Sequence, residues 1–155
     1  MFKFIFTLFA FLVINQSHAS SPLQNQLQSN PSPYLALHGA DPVAWQEWNE
    51  AILDRAKVEN KLIFLSIGYF SCHWCHVMQR ESYQDSDVAQ WLNEHYIPVK
   101  IDRELEEALD ARMISFAEKT QGRAGWPLNV FVTPEGYPLY AALYLPRNNF
   151  LQLIT

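Results

Sequence analysis

Both cysteines of the 155-residue chain fall within one pentapeptide, Cys72, His73, Trp74, Cys75, His76. Two thiols with two residues between them stand one helical turn apart and close an intramolecular disulfide readily, so the pair is a candidate two-electron redox centre. The trailing His76 admits other chemistry. Cys-x-x-Cys-His is also the attachment signature of a c-type haem, with His76 as one axial ligand and Met78, Met113 or His95 as the other. A zinc site built from Cys72, Cys75 and one or two of His73, His76 and His95 is a third reading, and it needs ligands from separated segments. The spacing alone leaves all three open.

In the redox reading the two sulfurs take different tasks. A helix starting at Cys72 places that sulfur against unpaired backbone amides and the positive end of the helix dipole, which favours thiolate over thiol. Thiol pKa values in such motifs span about 3.5 to 7.5, and His73 or His76, when protonated, pushes Cys72 toward the lower part of that range. A lower pKa stabilises the reduced form and makes the disulfide more oxidising. Cys75, one turn deeper, is the resolving thiol. No carboxylate lies in the run Leu62 to Ile67, so proton transfer for Cys75 calls on Asp102, Glu104, Glu81 or water, with Asp102 the first choice. Closing a loop of two residues constrains the unfolded chain little, so the disulfide is expected to serve chemistry rather than stability.

The surrounding pattern supplies the elements that position the pair. Asp41 before Pro42 reads as a helix cap with proline at the first helical position, and Trp45, Trp48, Ile52 and Ala56 continue at helical spacing, predicting a helix from Pro42 to about Glu59. Leu62 to Ile67 is nearly continuously apolar, as a strand buried on both faces would be, and Gly68 breaks it. A helix runs from Cys72 to about Glu81, and Asp85 caps another carrying Val88, Ala89, Trp91 and Leu92. Tyr96 to Ile101 reads as a strand. A helix follows from Leu105 to about Lys119, with Leu105, Leu109, Met113, Phe116 and Ala117 inward, ended by Gly122 and Gly125. Leu128 to Val132 and Pro138 to Tyr144 form a hairpin about the turn Thr133 to Gly136. Only a stub, Asn148 to Thr155, remains for a closing helix.

That order predicts an α/β protein with a central mixed sheet of about four strands flanked by helices and a terminal β-hairpin, the thioredoxin-like order. Right-handed crossovers bring the carboxyl ends of the first two strands together and set Asp102, Arg103 and Glu104 near the cysteines.

Lys3, the apolar stretch Phe4 to Ile14, and the small residues Ser17 and Ala19 predict a signal peptide over residues 1–19, too short to span a bilayer, which takes about 20 residues. The mature protein is therefore expected to be exported, periplasmic or extracellular, without stable membrane insertion. Residues 20–33, rich in Gln, Asn, Ser and Pro, read as a mobile arm ahead of a domain over residues 34–155 whose last helix is short or truncated. A net charge of −5 and the absence of a basic cluster after the leader argue against nucleic acid as a partner.

A longer series of residues carries a family likeness from about Asn25 to Pro146: Ser32-Pro33-Tyr34-Leu35; Asp41-Pro42-Val43 with Trp45; Phe64 to Tyr69 running into Cys72-His73-Trp74-Cys75-His76-Val77-Met78; Arg80-Glu81-Ser82; Asp102-Arg103-Glu104; and Gly125-Trp126-Pro127-Leu128-Asn129-Val130-Phe131. The chain resembles the thioredoxin-like domain of spermatogenesis-associated protein 20 and its bacterial relatives. The resemblance implies that fold and a cysteine pair suited to redox work with no cofactor beyond the Cys72–Cys75 disulfide. It also implies a cis bond before Pro127, with Trp126 and Trp74 bordering a substrate groove. Family members are typically much longer, with a large helical domain, and many lack a signal peptide; this chain is expected to stand alone and exported. The expected function is a thiol-disulfide oxidoreductase acting on protein or small thiols together with a redox partner. The alternative is a binding or adaptor module that holds partners around Trp74, Trp126 and Pro127 with the disulfide inert.

Overall fold

The computed structural model describes residues 21–155, so the leader expected over residues 1–19 lies outside the described residues. Strand β1 (Leu62–Gly68) is buried from its second residue onward, as its unbroken apolar run requires of a strand covered on both faces. It pairs in parallel with β2 (Tyr96–Asp102) and antiparallel with β3 (Leu128–Val132), and β3 pairs antiparallel with β4 (Pro138–Ala142), giving a four-stranded mixed sheet in the order β2-β1-β3-β4. The expected sheet is the observed one.

Side chains of a strand alternate between faces, and β1 divides the core accordingly. Ile63, Leu65 and Ile67 enter one apolar cluster together with Ile52 and Ala56 of α2 (Glu50–Glu59) and Leu109, Met113 and Ala117 of α5 (Glu107–Gln121). Phe64 enters the other, with Tyr34 and Leu35 of α1 (Pro33–Leu37), both cysteines, Met78 of α3 (His73–Met78), Val88, Ala89 and Leu92 of α4 (Ser86–His95), and Phe150 and Ile154 of α6 (Arg147–Ile154). The cysteines thus belong to the layer above the even-numbered face of β1.

Several boundaries differ from expectation. No helix begins at Pro42. The Asp41 carboxylate is buried and engaged by Trp45 Nε1 at 3.1 Å, Gln79 Nε2 at 3.0 Å and His38 Nδ1 at 2.7 Å, so it is not available as a cap. Residues 43–46 run extended instead, with Gln46 N donating to Pro98 O at 2.9 Å and Lys100 N to Gln46 O at 3.0 Å along the free edge of β2. Helix α2 starts at Glu50, where Asn49 Oδ1 accepts from Ile52 N at 3.0 Å, and ends at Asn60 in the left-handed region at φ 50°. Trp45 and Trp48 consequently pack into opposite clusters rather than one stripe.

The stretch expected as a mobile arm is anchored from Asn25 onward. Asn25 Nδ2 faces the carbonyl oxygens of His38, Asp41 and Val43 at 2.8, 3.1 and 3.1 Å, Gln26 N donates to Trp45 O at 2.9 Å, and Leu27 is fully buried. Ser32 caps α1 by accepting from Leu35 N at 3.2 Å. Composition reports polarity but not its partners.

Helix α3 is short and passes into a π-helical turn, Gln79–Tyr83, whereas Asp85 caps α4 as expected, accepting from Asp87 N and Val88 N at 3.1 Å each. Helix α5 starts two residues late, leaving Leu105 exposed, because the Asp102 carbonyl closes a turn onto Leu105 N and Glu106 N at 3.0 Å each; Phe116, expected inward, is half-buried. β4 ends at Ala142. The C-terminal stub forms α6, held where Trp91 Nε1 and Tyr96 Oη donate to Ile154 O at 2.7 and 3.0 Å.

Candidate functional site

Beyond Gly68 the chain turns through Tyr69, Phe70 and Ser71 and enters α3 with Cys72 as its N-cap, in extended conformation. Cys72 and Cys75 form a disulfide with Cα atoms 5.3 Å apart. Cys72 Sγ accepts from Cys75 N at 3.2 Å, so the first turn of α3 points an amide at that sulfur. Both cysteines are buried residues, Cys72 keeping 4% exposure and Cys75 none. The sequence puts Cys72 at the surface; burial leaves it a narrow opening, beside the exposed rings of Phe70 and Trp74.

Each histidine of the motif contacts an aromatic neighbour. His73 is exposed and sets its ring edge-on to Trp74 with centroids 5.5 Å apart. His76 Nε2 lies 2.7 Å from Phe70 O, which fixes the proton on that nitrogen as donor. His95 stacks on Trp91 at 4.0 Å at the end of α4, and among the described residues no group of three or more His, Cys, Asp and Glu is arranged to hold a metal ion. Trp74 tilts against Tyr144 at 4.8 Å, and Tyr144 Oη donates to Glu81 Oε2 at 2.6 Å.

The bond between Trp126 and Pro127 is cis. Trp126 is clamped: its Nε1 donates to Asp110 Oδ1 at 2.8 Å, the Arg103 guanidinium lies 3.8 Å from its ring centroid, and Arg103 Nε lies 3.4 Å from Asp110 Oδ2. Arg103 is itself fixed to the end of β1, where its N–H donates to Gly68 O at 2.9 Å. A cleft lined by Tyr69, Ser71, Arg103, Glu104, Glu107 and Asp110 opens beside this clamp. Asp102, the carboxylate nominated for Cys75, is buried and occupied: Oδ2 accepts from Ser32 Oγ at 2.7 Å and Oδ1 from Glu104 N at 3.0 Å.

A buried polar cluster that local spacing does not reveal joins β1, β2 and β3 to the π-helical turn. Ser66 on β1 stands opposite Lys100 on β2 and Asn129 on β3, and all three are buried. Lys100 Nζ donates to Ser66 Oγ at 2.8 Å, Ser66 Oγ and Tyr83 Oη are 2.8 Å apart, and Tyr83 Oη donates to Asn129 Oδ1 at 2.7 Å. The Lys100 ammonium also lies 4.7 Å from the Tyr83 ring centroid and 5.3 Å from those of Tyr34 and Trp45. Burial pulls its pKa down to about 7. Burial, with Lys100 nearby, pulls His38 down to about 4 against its hydrogen bond to Asp41. Burial pushes the Tyr34 phenol well above its ordinary range, and Tyr83, Asp102 and Asp41 add to the shift. The signal was present in the sequence: a lysine between Val99 and Ile101 in a strand otherwise apolar must either snorkel or find partners inside.

A mixed sheet in the order β2-β1-β3-β4, with a Cys-x-x-Cys disulfide at the start of the helix after β1, defines a thioredoxin-like α/β protein. Residues 24–154 match the Thioredox_DsbH family, described as "Protein of unknown function, DUF255". The chain belongs to this family. It is 42% identical over 138 residues to human spermatogenesis-associated protein 20, covering 87% of this chain and 18% of that protein. It is 38% identical over 130 residues to the uncharacterized protein B0495.5 of Caenorhabditis elegans, covering 84% of this chain and 18% of that one. The chain thus spans under a fifth of the length of these relatives. Among solved structures, a putative disulphide-isomerase from Bacteroides thetaiotaomicron superposes with a TM-score of 0.59 at 26% identity, covering 74% of this chain and 92% of that one. A DsbH oxidoreductase superposes with a TM-score of 0.59 at 21% identity, over 72% of this chain and 81% of that chain, a likeness of fold.

Proposed function

We propose that the protein is a thiol-disulfide oxidoreductase in which Cys72 attacks and Cys75 resolves. The observation that carries the reading is the disulfide at the N-cap of α3, with Cys72 the less buried residue of the two and an amide directed at its sulfur. In the reducing direction the Cys72 thiolate attacks a substrate disulfide, forming a mixed disulfide and releasing one substrate thiolate. Cys75 sulfur then attacks Cys72 Sγ, closing the protein disulfide and releasing the second substrate sulfur. The oxidising direction is the same sequence reversed, and the reduction potential with the redox partner sets which one runs. The substrate is a protein or small thiol or disulfide approaching between Trp74 and the rim formed by Trp126 and the cis Pro127. Residues 1–19 support export, and an oxidising compartment is where such a disulfide persists.

The adaptor reading draws on one specific observation: Cys72 keeps only 4% exposure while Phe70 and Trp74 beside it keep 53% and 51%. Insulin reduction and recovery of scrambled ribonuclease, compared between the wild type and Cys72→Ser, separate the two. Turnover lost in the variant supports the oxidoreductase; no turnover above background in either protein supports the adaptor.

A further inference from the structure

Gly68 closes β1 directly beneath the disulfide, and two side chains converge on its Cα. A Cβ placed there would collide with the Tyr34 hydroxyl oxygen and stand 2.6 Å from Cys75 Sγ. The phenol oxygen and the deeper sulfur therefore share one small space that exists because residue 68 lacks a side chain. Tyr34 is fully buried, its ring held edge-on to His38 with centroids 5.2 Å apart and under the Lys100 ammonium. Its oxygen has no hydrogen-bond partner; among the described residues Ser82 Oγ is the other buried side-chain atom in that condition.

A buried hydroxyl without an acceptor destabilises the state that contains it. Here that state is the oxidised one, and a disulfide sulfur is only a weak acceptor. Opening the disulfide puts a thiol or thiolate in the same place, and a thiolate is the charged acceptor to which a phenol bonds most strongly. We propose that Tyr34 is a catalytic residue whose hydroxyl donates a hydrogen bond to the Cys75 sulfur when the disulfide opens, stabilising the resolving thiolate and biasing the pair toward its reduced form. The inference rests on the cysteine pair cycling between oxidised and reduced forms.

The chemistry balances with a dithiol reductant such as dithiothreitol. One reductant thiolate attacks the protein disulfide, the Cys72–Cys75 bond breaks, and Cys75 leaves with the electron pair as a thiolate beside the Tyr34 hydroxyl. The second reductant sulfur then displaces Cys72 from the mixed disulfide. The reductant ends as a cyclic disulfide, and its two thiol protons pass to the protein sulfurs through solvent. Tyr34 keeps its own proton throughout, as a phenol held far above its ordinary range must. The charged and titratable groups acting on this space or on its neighbours are Lys100 and Asp102 of β2, His38 at the C-cap of α1, Asp41 in the segment that follows, Tyr83 of the π-helical turn, and His76, whose charge acts on His38.

Tyr34→Phe removes the oxygen and keeps the ring. Equilibration with dithiothreitol should shift about tenfold toward the disulfide, about 30 mV for a two-electron couple. In a Cys72→Ser background, thiolate absorbance should place the Cys75 titration about one unit higher when Tyr34→Phe is added. Urea unfolding should show the oxidised Tyr34→Phe protein as stable as wild type or more so, and the reduced protein less stable; a purely structural role moves both the same way. In the unsubstituted protein, isotope-labelled tyrosine should give a Tyr34 ring signal that shifts on reduction, which keeps the test open should the variant fold poorly. An unchanged equilibrium, an unchanged Cys75 titration or an indifferent Tyr34 signal would overturn the proposal. None of these readouts uses a protein substrate, so loss of turnover with the shifts present refutes the oxidoreductase reading alone, and turnover without the shifts refutes the Tyr34 role alone.

Discussion

Ser66 and Lys100 face each other across β1 and β2, and Lys100 Nζ donates to Ser66 Oγ at 2.8 Å inside the sheet. An ammonium is thereby held in the core with a hydroxyl and three aromatic faces around it, and with Asp41 acting on it only at a distance. Such a site favours the neutral amine. It places a cation next to the cysteine layer at low pH and removes it near neutrality.

Stability should rise with pH in two windows. The unfolded chain protonates His38 at the ordinary value of 6.5, whereas the folded protein resists until about 4. The unfolded state therefore binds more protons between those values, and acidification through them removes about 3 kcal/mol. Lys100 works in the same direction between about 7 and its ordinary 10.5, where the unfolded chain is protonated and the folded core is not. Urea midpoints measured from pH 4 to 10 should climb through both windows. Lys100→Met should flatten the upper one and narrow the lower, because Lys100 is one of the causes that hold His38 down. An upper slope unaltered in that variant would mean that Lys100 does not titrate as a buried amine.

Gly68→Ala should destabilise the protein by about 1–3 kcal/mol, the usual consequence of overpacking a filled core. The added methyl meets the Tyr34 oxygen and Cys75 Sγ. Combining it with Tyr34→Phe should recover part of the loss, because the nearest of the three colliding atoms is gone while Tyr34 Cζ and Cys75 Sγ remain. Strictly additive losses in denaturant unfolding would contradict the shared space inferred between these groups.

Arg103→Ala should loosen the Trp126 clamp. Removing a guanidinium from an indole face at this partly exposed position should lower stability by about 0.5–1 kcal/mol. If Trp126 borders the substrate path, KM for a peptide disulfide should rise severalfold with kcat less affected, since the cysteines are untouched. A fall in kcat alone would place Arg103 in the chemistry rather than in the groove.

Much of the fold was legible because burial imposes period on sequence. The run Leu62 to Ile67 requires a strand covered on both faces, Asp85 before Val88, Ala89 and Leu92 reads as a cap, and each is observed. Asp41 misled because the same carboxylate that caps a helix also suits a buried acceptor for His38, Trp45 and Gln79, and only the packing of four segments decides which. The cysteines were legible as a local pair. Tyr34 was not, because it arrives on a five-residue helix whose relation to Gly68 is fixed by long-range contacts. Lys100 and Asn129 become neighbours of Ser66 only through strand register.

In the proposed cycle one sulfur attacks and the other resolves. The most direct test is trapping on a model peptide disulfide, using Cys75→Ser and Cys72→Ser in parallel and reading the mixed disulfide by intact mass. The account predicts that Cys75→Ser accumulates a mixed disulfide on Cys72, while Cys72→Ser, with its one thiol fully buried, accumulates little. Equal trapping by both variants, or trapping by neither, would contradict it.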